Sequence, residues 1–229
     1  MTQTYDFREI RARLETEAEE DFKNFNSKII PTAYPVLGVR TPTVRKLAKS
    51  AGEDYLEQSP AFYEEVLIHG ITLGKFKTAN ELFSRIDTFL SFVDNWAAID
   101  VPLSSMTAFK KDKENCLQKL KPFLFDKREF YARFGAVALL DYYIDSEHID
   151  EVLRLYAQVE EGRYYTDMAV AWGLSVAAVK FFDKTYAALK SGMYGDFTTR
   201  KALSKCMDSF RIDAEQKQLL KQLRSNLRK

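Results

Sequence analysis

YARFGAVALLDYY at residues 131–143 and TDMAVAWGLSVAAVKF at residues 166–181 are the stretches that decide the fold. Their apolar and small residues recur at i, i+3, i+4 and i+7 and do not alternate, which is the period of a helix and not of a strand. The same period runs through most of the chain, where 9 glycines and 6 prolines leave few breaks. Helices are expected near 5–25, 42–51, 60–73, 76–86, 88–101, 112–123, 127–143, 147–160, 164–180, 182–191, 197–208 and 213–227. Thr41 before Pro42 and Ser59 before Pro60 read as N-caps followed by proline at the first helical position. The loop IIPTAYPVLGVRTP, residues 29–42, carries three prolines and one glycine and should be an ordered connection.

A third apolar segment, SFVDNWAAID at 91–100, sets up a recurrence with the first two. Trp96, Arg133 and Trp172 are 37 and 39 residues apart (133 − 96 and 172 − 133). That is close to the roughly 40–47 residues of HEAT or armadillo units, helix pairs that bury their apolar faces only by stacking on neighbours. The expected fold is all-α, a HEAT-like repeat α-solenoid in which antiparallel helix pairs build a curved right-handed superhelix. Residues 1–229 are read as a single domain. If the register holds, the three residues share one face of successive repeats, and the concave face of a solenoid is where extended ligands bind.

Composition narrows the function. A hydrophobic fraction of 46% with 29% charged residues suits a folded, water-soluble chain. Cys116 and Cys206 have no pair spacing, and His69 and His148 stand far from them and from each other, so neither a disulfide framework nor a metal site is expected. The N-terminal stretch is charged almost from its start and no segment approaches the roughly 18 apolar residues of a membrane span. A cytoplasmic monomer with no membrane association and no cofactor is expected.

The net charge of +1 is no argument for nucleic-acid binding, but the distribution of charge is uneven. Arg40, Arg45, Lys46 and Lys49 lie in RTPTVRKLAK with no acid among them. The last thirty residues hold nine bases, among them Arg200, Lys201, Lys205 and Arg211, against three acids. Either these are solvated helix faces or they contact phosphates. Trp96 and Asp100 are four apart, so on a continuous helix they project from one side. The plain alternative makes Trp96 a core ring and Asp100 a helix-terminal acid, since Pro102 disfavours helical geometry at Val101. Arg133 precedes a tightly packing apolar run and suits either a carboxylate such as Asp100 or a phosphate. Trp172 stands among small apolar residues, where an indole commonly belongs to the core.

Taken together, YPVLGVRTPTVRKLAK, DNWAAID, ARFGAVALLDYY, AVAWGLSVAAVKF and KALSKCMDSFRID resemble, in order and spacing, the AlkD-like DNA glycosylases of the DNA alkylation repair family, from about residue 20 to 215. The resemblance implies HEAT-like repeats that cradle duplex DNA and release 3-alkyladenine or 7-alkylguanine by hydrolysing the N-glycosidic bond. It matches the essential aspartate to Asp100, its arginine to Arg133, and the tryptophans flanking the lesion's sugar to Trp96 and Trp172. An N-terminal aromatic of the family falls on Phe25 or Tyr34. Ala97, Ala98 and Pro102 depart from the commoner pattern around the aspartate.

The implied chemistry suits these side chains. An alkylated purine is cationic and departs neutral, leaving an electron-poor sugar that a carboxylate in a partly desolvated cleft stabilises more strongly than water allows. The indole faces add about 0.5–2 kcal/mol each per well-placed contact with cationic character. Arg133 then holds a phosphate or orients Asp100, while Arg40, Arg45, Lys46, Lys49, Arg200, Lys201, Lys205 and Arg211 position duplex DNA containing alkylated bases without reading its sequence. The alternative is a non-catalytic HEAT-like module that binds distorted DNA or a protein partner, since a fold alone does not fix a function.

Overall fold

The computed structural model describes residues 4–227, so Arg228 and Lys229 of the basic C-terminal run lie outside the described residues. Among those described there are fourteen α-helices: α1 (Phe7–Thr16), α2 (Glu20–Ile29), α3 (Thr41–Ser50), α4 (Tyr63–Thr72), α5 (Ala79–Ser91), α6 (Ala97–Leu103), α7 (Ala108–Lys111), α8 (Lys113–Leu124), α9 (Glu129–Tyr142), α10 (Ile149–Ala157), α11 (Tyr164–Lys180), α12 (Phe182–Lys190), α13 (Asp196–Asp208) and α14 (Ala214–Asn226). The one strand-like feature described is an isolated parallel bridge between Tyr5 and Ala51. The chain is all-α, and it divides into two compact units, Met1–Lys119 and Leu120–Lys229.

In the first unit α4 is the central element, packed on α3 and α6 and buried along its whole length. Its polar residues are buried with it and each is put to use. Glu64 accepts the backbone N–H groups of Leu37, Gly38 and Val39 at 3.0, 2.7 and 3.2 Å, pinning the proline-rich loop. Glu65 takes a two-pronged ion pair from Arg11 at 2.7 and 2.9 Å, which ties α1 down. A buried carboxylate is tolerated only when its oxygens are satisfied in this way. Gly38 is required where the loop crosses α2: its φ is +89°, and a Cβ there would lie 2.4 Å from the Glu19 carbonyl oxygen.

Four sequence expectations change here. The helix expected over 5–25 is two helices, because Glu15, Glu17, Glu19, Glu20 and Asp21 crowd like charge onto adjacent turns and the loop enters the break, the Glu19 N–H donating to Gly38 O at 3.1 Å. The helix expected over 88–101 is also divided. Instead α5 runs on to Ser91, the chain turns, and α6 starts only at Ala97. Ser59 does not cap the next helix, which begins at Tyr63. Glu65 instead reaches back to the N–H groups of Ala61 and Phe62, at 2.7 and 3.3 Å. Pro42 does sit in the first turn of α3, as expected, but Thr41 is already helical and makes no side-chain cap.

In the second unit α11 packs between α9 and α13, while α12 touches both α10 and α14. Helix pairs are thus stacked in two layers. Carboxylates stitch one pair to the next: Glu129 accepts the Tyr165 N–H at 2.6 Å and Glu161 the Thr198 N–H at 2.7 Å, so each satisfies an orphan donor at the start of the following helix. Small residues permit the close approach. A Cβ on Gly173 would lie 2.3 Å from the Tyr156 hydroxyl, which donates to Ala136 O at 2.9 Å and so fastens α10 to α9.

Candidate functional site

The turn ahead of α6 places the first pair of candidate residues. Asp94 accepts from the Thr32 hydroxyl at 2.9 Å and from the Ala33 N–H at 2.6 Å, and so grips the loop after α2. Asn95, buried, accepts the Ala98 N–H at 3.0 Å, the bond that an N-cap side chain makes. Between this cap and the helix, Trp96 is half-buried, and its indole N–H donates to Ile29 O at 3.3 Å. The Asp100 N–H donates to Trp96 O at 3.1 Å, so the two are joined by one α-helical turn despite the shortness of α6. Asp100 is half-buried as well. Pro102 lies inside α6, which ends one residue later.

Two aromatic residues near this turn in sequence or charge are Tyr34 and Tyr63, and Phe25 lies on α2. Phe25 is 56% exposed on α2, one turn before Ile29, and stacks on Phe22 with centroids 6.2 Å apart. Tyr34 is half-buried, and its N–H donates at 3.2 Å to the Thr32 hydroxyl that binds Asp94. Burial and the Asp94 charge push the Tyr34 phenol up from its ordinary range. The buried Tyr63 phenol is also raised, by burial first and then by the carboxylates of Glu64, Asp100 and Asp94. Both phenols therefore stay protonated beside these acids.

The second pair belongs to the other unit. Arg133 is buried on α9 at 5% exposure, and its Nη1 donates to Tyr165 O at 2.8 Å. Trp172 is half-buried on α11, in a stripe of partly exposed apolar residues with Tyr165, Met168, Val176 and Val179. Arg133 is thus buried while Trp172 is partly open.

The basic residues differ in how far they are committed. Arg40 forms a two-pronged ion pair with Glu19, both bonds 2.8 Å, and lies over the Phe22 ring. Arg45 donates to Val101 O at 2.7 Å and to the hydroxyls of Ser104 and Ser105 at 3.0 and 2.9 Å, capping the end of α6. Lys46 and Lys49 are exposed on α3. On α13, Arg200 donates to Leu227 O at 3.2 Å and Lys201 lies 5.3 Å from the centre of the Phe197 ring. Lys205 is half-buried and Arg211 exposed.

The motif reading passed over Asp94, Asn95 and Glu64. The signal for the first two is the polar DN dipeptide directly before an apolar run, a helix-start pattern. Glu64 has no local signal, because its partners are more than twenty residues away. The two cysteines are buried, and burial pushes the thiols of Cys116 and Cys206 up to about 12, which leaves them unreactive. Among the described residues no helix is long and apolar enough to cross a membrane, and no group of three or more His, Cys, Asp or Glu is placed to hold a metal.

A family model described as DNA alkylation repair enzyme matches residues 10–207, most of the chain. No curated protein and no solved structure matches it.

Proposed function

We propose, from the premise that this chain belongs to the family of DNA alkylation repair enzymes, that it is a DNA glycosylase hydrolysing the N-glycosidic bond of 3-alkyladenine and 7-alkylguanine in duplex DNA. The observation that carries the reading is the turn from Trp96 to Asp100. It presents an indole and a carboxylate, both half-buried, on one side of a short helix whose start is capped and whose end is held by Arg45.

Departure of a neutral purine leaves positive charge on the deoxyribose. Asp100 is assigned to stabilise that charge, or to orient the attacking water, and partial burial strengthens its field over that in water. Trp96 is assigned to present its ring face to the same sugar. Its indole N–H is already bound to Ile29 O, so the ring is held before substrate arrives. Arg133 and Trp172 are assigned to the same reaction, Arg133 as a rigid guanidinium for a phosphate and Trp172 as a second ring. Lys46, Lys49, Lys201, Lys205 and Arg211 are assigned to phosphates, with Arg40, Arg45 and Arg200 contributing charge from bonded positions. The stacked helix pairs are read as HEAT-like repeats.

The test is release of base from duplex DNA carrying 7-methylguanine or 3-methyladenine. Asp100→Asn should lower the single-turnover rate by at least about 100-fold, the scale of removing an electrostatic stabiliser, while duplex affinity stays within about threefold. Equal rates for wild type and variant would remove Asp100 from the mechanism. Salt-sensitive binding with no release by the wild type would make the chain a binding module.

A further inference from the structure

Within the first unit a cavity of about 520 Å³ opens where α3, the end of α4 and the end of α6 meet. Four of its lining side chains ionise, and all four are cations: Arg45, Lys49, Lys75 and Lys77. Elsewhere in this unit arginines meet carboxylates, as in Arg11–Glu65, Arg40–Glu19 and Arg85–Glu57. Among the described residues none of these four cations forms an ion pair. The remaining wall is apolar or small, with Ala48, Ile71 and Gly74, and Ser105 adds a hydroxyl.

Helix ends account for part of this charge. Arg45 donates to Val101 O, Lys75 to Ala51 O, and Lys77 to Gly74 O at 2.5 Å and to the Thr107 hydroxyl at 3.0 Å. A helix C-terminus, however, carries only about half a negative charge. Glu53 and Asp54 act on Lys75 from a distance, yet burial still holds its ammonium below the ordinary lysine range. Four whole positive charges thus line one cavity, against the fractional negative ends of the helices and the two more distant carboxylates Glu53 and Asp54. An anion entering the cavity meets the summed field of these cations.

We propose that this cavity binds a phosphoryl group carried beside an apolar ring, the chemistry of a nucleoside phosphate. The cations grip the phosphoryl oxygens, and the aliphatic stems of Lys49 and Lys75 beside Ile71 receive the ring. A volume of this size lies within the roughly 300–1,000 Å³ of small-molecule sites. The inference rests on the phosphate-contact role proposed for Lys49 and on the charge proposed for Arg45, and narrows both to a defined cavity. Two sources carry this chemistry, a free nucleotide and a nucleotide of a bound strand.

The experiment titrates the full chain with adenosine 5′-diphosphate, pyrophosphate and adenosine by calorimetry at low salt, then repeats the titration with saturating duplex. Diphosphate and pyrophosphate should bind and adenosine should not. Lys75→Gln combined with Lys77→Gln should weaken the diphosphate at least about tenfold. Lys49→Gln, on an exposed position of α3, repeats the test should the double variant fail to fold. Loss of diphosphate binding in the presence of duplex assigns the cavity to a strand nucleotide, and retention assigns it to a free one. Diphosphate binding by a wild type that releases no base would sink the glycosylase reading alone, and base release by a wild type that binds neither diphosphate nor pyrophosphate would sink this one alone. Absence of diphosphate and pyrophosphate binding, or affinities unchanged by these substitutions, would overturn the proposal.

Discussion

His69 sits on α4 between the rings of Phe89 and Phe92, with centroids 6.0 and 5.2 Å away, and shows 1% exposure. Its Nε2 lies 3.1 Å from Leu56 O, while its Nδ1 is buried with no hydrogen-bond partner. The ring is therefore a neutral imidazole whose Nε2–H donates. Burial pushes its pKa down to about 4 from the usual 6.5, because an imidazolium there would lose its hydration. The folded state thus resists a proton that the unfolded chain accepts. Stability from this group is fully present above about pH 6.5 and is lost as pH falls toward 4. At pH 5 the loss amounts to about 2 kcal/mol. His69→Gln keeps a donor for Leu56 O and cannot titrate, so its melting temperature should fall several degrees less than that of the wild type between pH 7 and pH 5. Parallel losses in calorimetric scans of both proteins would show that His69 is not the acid-sensitive group.

At the scale of elements, the seven residues of α6 carry more consequence than their number suggests. Asp94 and Asn95 fix where the helix begins and what lies beside it, so the position of Trp96 depends on bonds made just outside the helix. Asp94→Ala removes the acceptor for the part-buried Thr32 and the exposed Ala33 and should cost about 0.5–1.5 kcal/mol, the net worth of an ordinary hydrogen bond. In a Trp172→Phe background, where Trp96 is the only indole, its fluorescence should shift to the red and become easier to quench with acrylamide. Unchanged emission would mean that Trp96 is held without Asp94. This element also marks how far the chain could be read in advance. The helix over 164–180 was fully legible, because a long apolar period needs no distant partner to declare itself. The start of α6 was not, since the apolar residues Phe89, Leu90, Phe92 and Val93 continue the helical period into the turn. What ends the helix is Asp94 turning to a loop sixty residues earlier, and single-segment periodicity contains no record of that.

For the whole molecule, a net charge of +1 leaves no general attraction for DNA, so any affinity must come from where the cations lie. Acids gather in ETEAEED at 15–21 and between Asp145 and Glu161, while Lys46 and Lys49 are both exposed on α3. Each phosphate neutralised by a lysine releases counterions, so log K for duplex should fall linearly with log salt, with a slope of about −0.9 for every contact. Lys46→Gln should therefore make that slope shallower by about 0.9. Lys190→Gln, which removes an equal charge from the exposed end of α12, should leave it unchanged. The comparison is informative because both variants move the net charge from +1 to 0 (+1 − 1), so a difference between them can come only from placement. Equal changes in slope, measured by fluorescence anisotropy with an undamaged duplex between about 50 and 200 mM salt, would show that charge acts through the total, and would withdraw Lys46 from the phosphate contacts.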